Sequence, residues 1–311
     1  MGYRKRARLF VTQKGRNAKI GFYRQGTRQV EPLNSCPVLT NGINLAIKRL
    51  KEATPYAPQI IKGLKHILFE EDMVQNTFVT LDYREKIHIS LLRHVEALCN
   101  ILEVHYKIRD TRILFYKGSD RICFYKDESL APEGLFCPPS SFFQANLEQN
   151  KILVKEVVKM VQKAGGDNIV DLFCGSGNFS IPLARMGFKV TGVEIDDQAI
   201  DAAKKNALLN RCHEKTNFLT ANLFQKGLDC LSIKKADTML MDPPRVGAKK
   251  ICKELDIVRP KNIVYVSCDP MTLARDIASL MKKGYGLEIL KPVDMFPQTF
   301  HTETIALLRA G

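Results

Sequence analysis

The chain has no tryptophan, and its first 30 residues carry nine lysines and arginines without a single acid. The missing tryptophan excludes nothing by itself. No stretch approaches the ~18 uninterrupted apolar residues that a membrane span requires. The basic opening also lacks the apolar core of a signal peptide. There are nine cysteines, an odd number, and no two stand in C-x-x-C spacing. That pattern argues against a disulfide framework, a zinc knuckle or a complete iron–sulfur site. H-E-x-x-H is absent as well, so the six scattered histidines require no metal. No internal repeat or low-complexity tract interrupts the chain.

What is present is a basic chain of ordinary globular composition. Its 311 residues include 47 Lys+Arg against 33 Asp+Glu, a formal charge of +14. Hydrophobic residues at 45% and charged residues at 26% exclude disordered and fibrous classes. The length fits two domains at roughly 150 residues each. Both halves are basic, with an excess of eight positive charges up to residue 150 and six beyond it. A polyanionic partner is therefore expected, because Lys and Arg that neutralise phosphates release condensed counterions. The competing reading is plain solubilising charge. A cytoplasmic protein acting as a monomer, away from membranes, is the expectation.

Periodicity separates a mixed N-terminal region from an α/β region. Residues 1–135 read as an α+β module with a basic hairpin, Ala7–Thr12 and Ile20–Tyr23, around turn residues Gly15–Asn17. A helix over Thr40–Ala53 places Ile43, Ala46, Ile47 and Leu50 on one face. Strands follow at Lys65–Phe69 and Thr77–Tyr83, then a helix at Ser90–Leu102 and short strands at Ile113–Tyr116 and Ile122–Tyr125. Residues 136–311 open on a long helix, Leu147–Ala164, closed by Gly165-Gly166. Apolar strands at Ile169–Phe173, Lys189–Glu194, Thr238–Met241 and Asn262–Ser267 then alternate with helices. A final pair lies near Leu287–Lys291 and Thr304–Arg309. Such βα alternation implies a mostly parallel sheet covered on both faces, with ligands at the C-terminal strand ends.

The residues that could carry chemistry fall at those ends. Asp171-Leu172-Phe173-Cys174-Gly175-Ser176-Gly177-Asn178-Phe179 turns the first strand into a helix. A dinucleotide fingerprint wants a third glycine where Ser180 stands. Asp171 at the head of the turn is also a poor neighbour for a pyrophosphate. Glu194 ends the second strand, 19 residues beyond Gly175, and suits two ribose hydroxyls. The combination fits an adenosine without a pyrophosphate, and so S-adenosylmethionine over NAD. A glycine turn alone would also serve ordinary helix entry.

Two further strand tips stand out. Asp242-Pro243-Pro244-Arg245 follows the strand at 238–241, and its prolines cannot continue a ladder, so Asp242 is held at the tip. A capped Pro-Pro loop is the plainer reading. Ser267-Cys268-Asp269-Pro270 places a cysteine between a strand and a helix N-terminus, where the macrodipole favours thiolate. A buried structural thiol is the commoner fate of a lone cysteine. Phe300-His301-Thr302-Glu303-Thr304 offers two candidate bases, His301 and Glu303, and periodicity does not choose between them.

These segments together resemble the RNA uracil-C5 methyltransferases, which make 5-methyluridine. The likeness rests on D-L-F-C-G-S-G-N-F, G-V-E, D-P-P-R, Y-V-S-C-D-P-M-T-L-A-R-D and D-M-F-P-Q-T-F-H-T-E-T. It extends to F-F-Q-A-N at 142–146, G-Y-R-K-R-A-R-L at 2–9 and C-P-V-L at 36–39, and so spans nearly the whole chain. The resemblance implies a Rossmann-like S-adenosylmethionine-dependent methyltransferase domain with a smaller N-terminal α+β domain. It implies Cys268 as nucleophile and Glu303, rather than His301, as general base. Gln144, Phe173, Asn178, Glu194, Asn222 and Asp242 match the family's cofactor and substrate-pocket positions. The substrate so implied is RNA, with Arg4, Lys5, Arg6, Arg8, Arg24 and Arg28 as candidate phosphate contacts.

The sequence also departs from the pattern. Most members begin with a small RNA-binding β-barrel, a four-cysteine iron–sulfur region, or both. Here Cys36 matches the last cluster cysteine without its three upstream partners, so no metal cluster is expected. Either a minimal member or a shortened form of a longer one fits Met1-Gly2 before a mid-family motif. The closing D-M-F-P-Q-T-F-H-T-E-T looks more like members acting on 23S ribosomal RNA than those acting on the tRNA T-loop. A tRNA enzyme and a catalytically silent RNA-binding protein remain the alternatives.

Overall fold

Two sets of strands, each with its own hydrophobic core, organise the chain. The computed structural model describes every residue except 1, 15, 16, 57, 111, 112, 232, 234 and 300. The tip of the expected first hairpin, Gly15 and Arg16, and Phe300 of the closing motif thus lie outside the described residues. The contacts divide into one unit of Met1–Phe124 with Pro138–Leu147 and another of Tyr125–Cys137 with Glu148–Gly311.

In the first unit the strands are β1 (Arg6–Lys14), β2 (Asn17–Tyr23) and β3 (Val30–Pro32). Helices α1 (Asn41–Ala53) and α2 (Pro58–Ile61) precede β4 (Leu64–Glu71) and β5 (Thr77–Tyr83). Then come α3 (Ile89–Leu102), β6 (His105–Arg109), β7 (Ile113–Lys117) and the start of β8 (Ile122–Asp127). The sheet order is β3-β2-β1-β4-β5-β6-β7. Pairings between these strands are antiparallel except β5–β6, which run parallel because α3 carries the chain back across the sheet. Ile43, Ala46, Ile47 and Leu50 of α1 are the buried face that their spacing predicts. They join Leu9, Val11, Ile67, Phe69 and Val95 in a core on one side of the sheet.

The second unit begins with the end of β8 and with β9 (Ala131–Cys137), a two-stranded sheet. After α4 (Leu147–Ala164) come β10 (Asn168–Leu172), α5 (Ser180–Arg185), β11 (Lys189–Glu194), α6 (Asp197–Leu209) and β12 (Thr216–Thr220). The chain continues through α7 (Leu223–Lys226), β13 (Thr238–Met241), α8 (Lys249–Glu254) and β14 (Asn262–Ser267). It closes with α9 (Pro270–Met281), β15 (Tyr285–Val293) and β16 (Glu303–Ala310). Strand order is β12-β11-β10-β13-β14-β16-β15. Five strands are parallel, and β16 enters antiparallel beside β14. Every residue of β13 and β14 is buried, which explains their uninterrupted apolar sequences.

The sequence places one change of unit after residue 135, whereas the chain changes unit three times between residues 124 and 148. Side-chain amides explain why β9 goes with the second unit. Asn206 of α6 donates to Phe136 O (2.9 Å) and accepts from Phe136 N (3.0 Å). Asn210 donates to Gly134 O (3.0 Å). The next segment returns to the first unit, where Arg6 donates to Ser141 O (2.7 Å) and Lys107 to Pro139 O (3.1 Å). Ser140 N donates to the buried Glu70 carboxylate (2.8 Å).

Candidate active site

Backbone geometry shapes the turn after β10. Phe173, Gly175 and Gly177 have φ of 66°, 54° and 90°. Phe173 is thus the first residue past the strand rather than its last, and a left-handed phenylalanine costs of order 1 kcal/mol. The glycines serve different ends. A Cβ at Gly177 would lie 2.9 Å from Ile181 and 3.6 Å from Ala203, so this glycine lets α5 and α6 close on the turn. A Cβ at Gly175 would meet nothing within 4 Å, which leaves open space beside the turn. Gly175 N donates to Glu194 Oε2 (3.2 Å), and Ile195 N and Asp196 N donate to Oε1 (2.7 and 3.1 Å). The Glu194 carboxylate is therefore oriented by backbone at the tip of β11.

Ser180 has a task of its own. Its hydroxyl donates to Asp171 Oδ2 at 2.5 Å. Asp171 Oδ1 is buried with no hydrogen-bond partner in the described structure. Burial, reinforced by the Glu194 charge, pushes the Asp171 carboxyl up to about 7 despite the Ser180 hydrogen bond. Asn178 exchanges two amide hydrogen bonds with the buried Asn150 (2.9 and 3.0 Å). Asn222 caps α7 by accepting from Phe224 N and Gln225 N, both at 3.1 Å. The Phe173 and Phe224 rings lie 5.4 Å apart.

The opposite end of this edge holds Cys268, Glu303 and Asp242. Cys268 follows β14 directly, and Asp269 caps α9 by accepting from Thr272 N (2.9 Å). Because β16 runs antiparallel to β14, its first residue, Glu303, comes to the same edge, and Ser267 pairs with Thr304. Glu303 is 2% exposed and its Oε1 has no hydrogen-bond partner in the described structure. Burial pushes its carboxyl up to about 7. Asp242 is raised well above its ordinary value by burial and by the charges of Glu303 and Asp171. Three acids thus meet along this edge, Asp171 and Glu303 buried and Asp242 half-buried, where carboxylate charge is costly.

This acidity also reverses one expectation. A helix N-terminus alone would favour thiolate at Cys268. In the structure burial pushes the thiol up, Glu303 and Asp242 add to the rise, and Arg245 only partly offsets it. Arg245 Nη2 also lies 3.2 Å from His301 Nε2. His301 is thus held at the D-P-P-R loop, while Glu303 faces the cysteine electrostatically.

Of the residues singled out from sequence, Phe173, Glu194, Asn222, Asp242, Cys268 and Glu303 stand in or just past strand tips of the second unit, and Asn178 lies at the far end of the turn from β10 into α5. Gln144 belongs to the first unit's 138–147 segment and is 8% exposed. Asn150, Arg245 and Asp276 were not singled out. Asp276 is buried and accepts from Ala248 N (2.7 Å) and Tyr265 OH (2.8 Å), and Arg275 donates to Val246 O (2.9 Å). These bonds clasp the loop that carries Asp242 and Arg245. Asp276, polar on the face that Leu273, Ile277 and Leu280 bury, is the signal in α9, and both Arg245 and Asp276 fall within motifs that carry the family resemblance. Among the described residues no group of three or more His, Cys, Asp or Glu is placed to hold a metal. No described helix is long and apolar enough to cross a membrane.

A sheet whose strands run third, second, first, fourth, fifth, seventh, sixth, with a glycine turn after the first and an acid ending the second, defines a class. This is a Rossmann-like S-adenosylmethionine-dependent methyltransferase. The residues fit that cofactor: open space lies beside Gly175, Glu194 is oriented, and the uncompensated acids suit a sulfonium cation. The family model described as tRNA (uracil-5-)-methyltransferase matches residues 1–310, and the chain belongs to that family. It is 34% identical over 330 residues to the 23S rRNA (uracil(1939)-C(5))-methyltransferase of Neisseria lactamica, covering 98% of this chain and 69% of that one. The enzyme of the same name from Shewanella woodyi is 35% identical over 313 residues, with coverage of 98% and 69%. A crystal structure of Pyrococcus abyssi tRNA (uracil-54, C5)-methyltransferase with S-adenosyl-L-homocysteine superposes with a TM-score of 0.77 at 28% identity. It covers 99% of this chain and 76% of that one.

Proposed function

We propose that this chain methylates C5 of a uridine in 23S ribosomal RNA, with Cys268 as nucleophile and Glu303 as base. The observation that carries the reading is the meeting of Cys268 and a buried Glu303 at one sheet edge beside Asp242. Gln144, Phe173, Asn178, Glu194, Asn222 and Asp242 are assigned to the cofactor and the base pocket. Bound S-adenosylmethionine supplies an electrophilic methyl group and a positive charge among the acids.

Uracil C5 is a weak nucleophile, so covalent catalysis is required. The Cys268 thiolate bonds to C6, and the electron pair of the C5–C6 double bond shifts toward C5, which then accepts the methyl. Glu303 takes the C5 proton, the double bond re-forms and the C6–S bond breaks to return the thiolate. A base poised near 7 suits proton transfer at neutral pH. Asp242, whose carboxyl is raised by burial and by the charges of Glu303 and Asp171, is assigned to hydrogen-bond the pyrimidine edge. The target base must leave its stack to reach this edge, at a cost of a few kcal/mol.

The 23S rRNA assignment rests on the curated relatives. The tRNA alternative draws on the likeness to the archaeal tRNA enzyme. We place the protein in the cytoplasm as a monomer that needs no metal. Mass-spectrometric mapping of 5-methyluridine in rRNA and tRNA from a deletion strain tests the substrate. Loss confined to one 23S rRNA uridine is expected, and loss confined to tRNA position 54 would replace the rRNA reading. RNA retention without methyl transfer would leave only a silent RNA-binding protein.

A further inference from the structure

The first unit's sheet has two unlike faces. Helices cover one, where Ala7, Leu9, Val11, Ile20 and Ile67 are buried. By strand alternation the other face of β1 and β2 carries Arg8, Phe10, Thr12, Lys19, Gly21 and Tyr23. Phe10 pairs with Gly21, which offers no side chain, so its ring can lie over β2. There it stacks on Tyr23 with centroids 3.8 Å apart and planes at 15°. Tyr23 is 41% exposed, although a tyrosine of a core would be covered.

The surroundings of this pair are positive. Arg8, Lys19 and Lys65 are exposed, and none is within ion-pair distance of a carboxylate among the described residues. The charge registers on a neighbour: His66, whose ring is 6.4 Å from Phe10, is held down at about 4. Burial is the main cause, Asp82 opposes it, and Arg8, Lys65 and Arg109 add to the depression. Stacked aromatic rings amid unpaired cations match single-stranded RNA, whose bases offer flat faces and whose backbone offers one negative charge per nucleotide.

We propose that the exposed face of the β1–β2 hairpin is an RNA platform outside the reacting site. An unstacked base lies on the Phe10–Tyr23 pair, and flanking phosphates sit on Arg8 and Lys19. The proposal rests on the RNA reading above and names a surface that reading does not assign.

The test uses the full chain and two separate readouts. The first is the Kd for a fluorescent single-stranded oligouridine 12-mer, measured with S-adenosylhomocysteine present. The second is steady-state methylation of whichever unmodified transcript, 23S rRNA or tRNA, the wild type modifies. Tyr23→Ala weakens oligonucleotide binding about tenfold, the loss expected for one base–ring stack, and Tyr23→Phe restores it. On the transcript the same variant raises KM and leaves kcat unchanged. Arg8→Gln and Lys19→Gln each lower the slope of log Kd against log salt by about one. Wild-type binding and salt slope in all of these variants would overturn the platform, even if methylation proceeds normally. Tyr23-dependent binding without any methyl transfer would keep the platform and remove the uridine-C5 reading instead.

Discussion

At the scale of single residues, the edge between β14 and β16 is defined by charge that has nowhere to go. Asp171, Asp242 and Glu303 are all pushed up, and the Cys268 thiol with them. Replacing Cys268 with Ala is predicted to abolish turnover and any covalent RNA adduct, and undiminished methylation by that variant would remove the mechanism. Glu303→Gln should instead trap the adduct as a protein–RNA band on a denaturing gel. His301→Ala separates the two bases: a trapped adduct there, with normal turnover in Glu303→Gln, would exchange their roles. Activity should also rise with pH. Both the base near 7 and the raised thiol act in deprotonated form, so kcat/KM is expected to climb through neutrality and on above it. A falling limb across pH 6–8 would contradict the assignment.

At the scale of elements, the site depends on loops held from behind. Asp276 accepts from Ala248 N and Tyr265 OH and so ties α9 and β14 to the loop after β13. Asp276→Ala would leave the buried Tyr265 hydroxyl without its acceptor and the Ala248 amide with only Tyr265 OH (3.1 Å) as partner, at about 1–3 kcal/mol. A lowered denaturation midpoint together with reduced kcat is the expected result. Full stability would show that the clasp is dispensable. The turn after β10 is similarly constrained. Gly177→Ala would force a Cβ onto Ile181 at a φ of 90°, and a cost of about 1–3 kcal/mol is expected from chemical denaturation.

At the scale of the whole molecule, buried acids make stability depend on pH in a definite direction. Glu303 has a folded value near 7 against 4.5 for a solvated glutamate, so the fold favours its protonated form. Its contribution is fully present below the unfolded value and is lost as pH rises through about 7. Glutamine carries no such burden. The thermal midpoint of Glu303→Gln should therefore gain on wild type as pH is raised from 5 to 8, with on the order of 2 kcal/mol at stake. A difference independent of pH would show that the carboxyl is solvated in the free protein. Saturating S-adenosylmethionine, a sulfonium cation, should narrow the gap.

Much of this architecture was legible in one dimension. The strands at Thr238–Met241 and Asn262–Ser267 fall where their apolar runs do, because every residue of both is buried. The short edge strand β12 was not, since Phe218 alone among its five residues is buried and no periodicity survives. Nor was the interleaving of residues 124–148, which is decided by the Asn206 and Asn210 amides on one side and by Arg6, Glu70 and Lys107 on the other. The residue types at the strand tips, Cys268 and Glu303 included, were set by sequence. Their meeting was not, because it requires β16 to insert antiparallel between β14 and β15 and bring its first residue to the parallel strands' C-terminal edge. The state of those groups is likewise a tertiary matter. Sequence offered a helix dipole to lower the cysteine, and only the folded chain could show that burial and two carboxylates outweigh it.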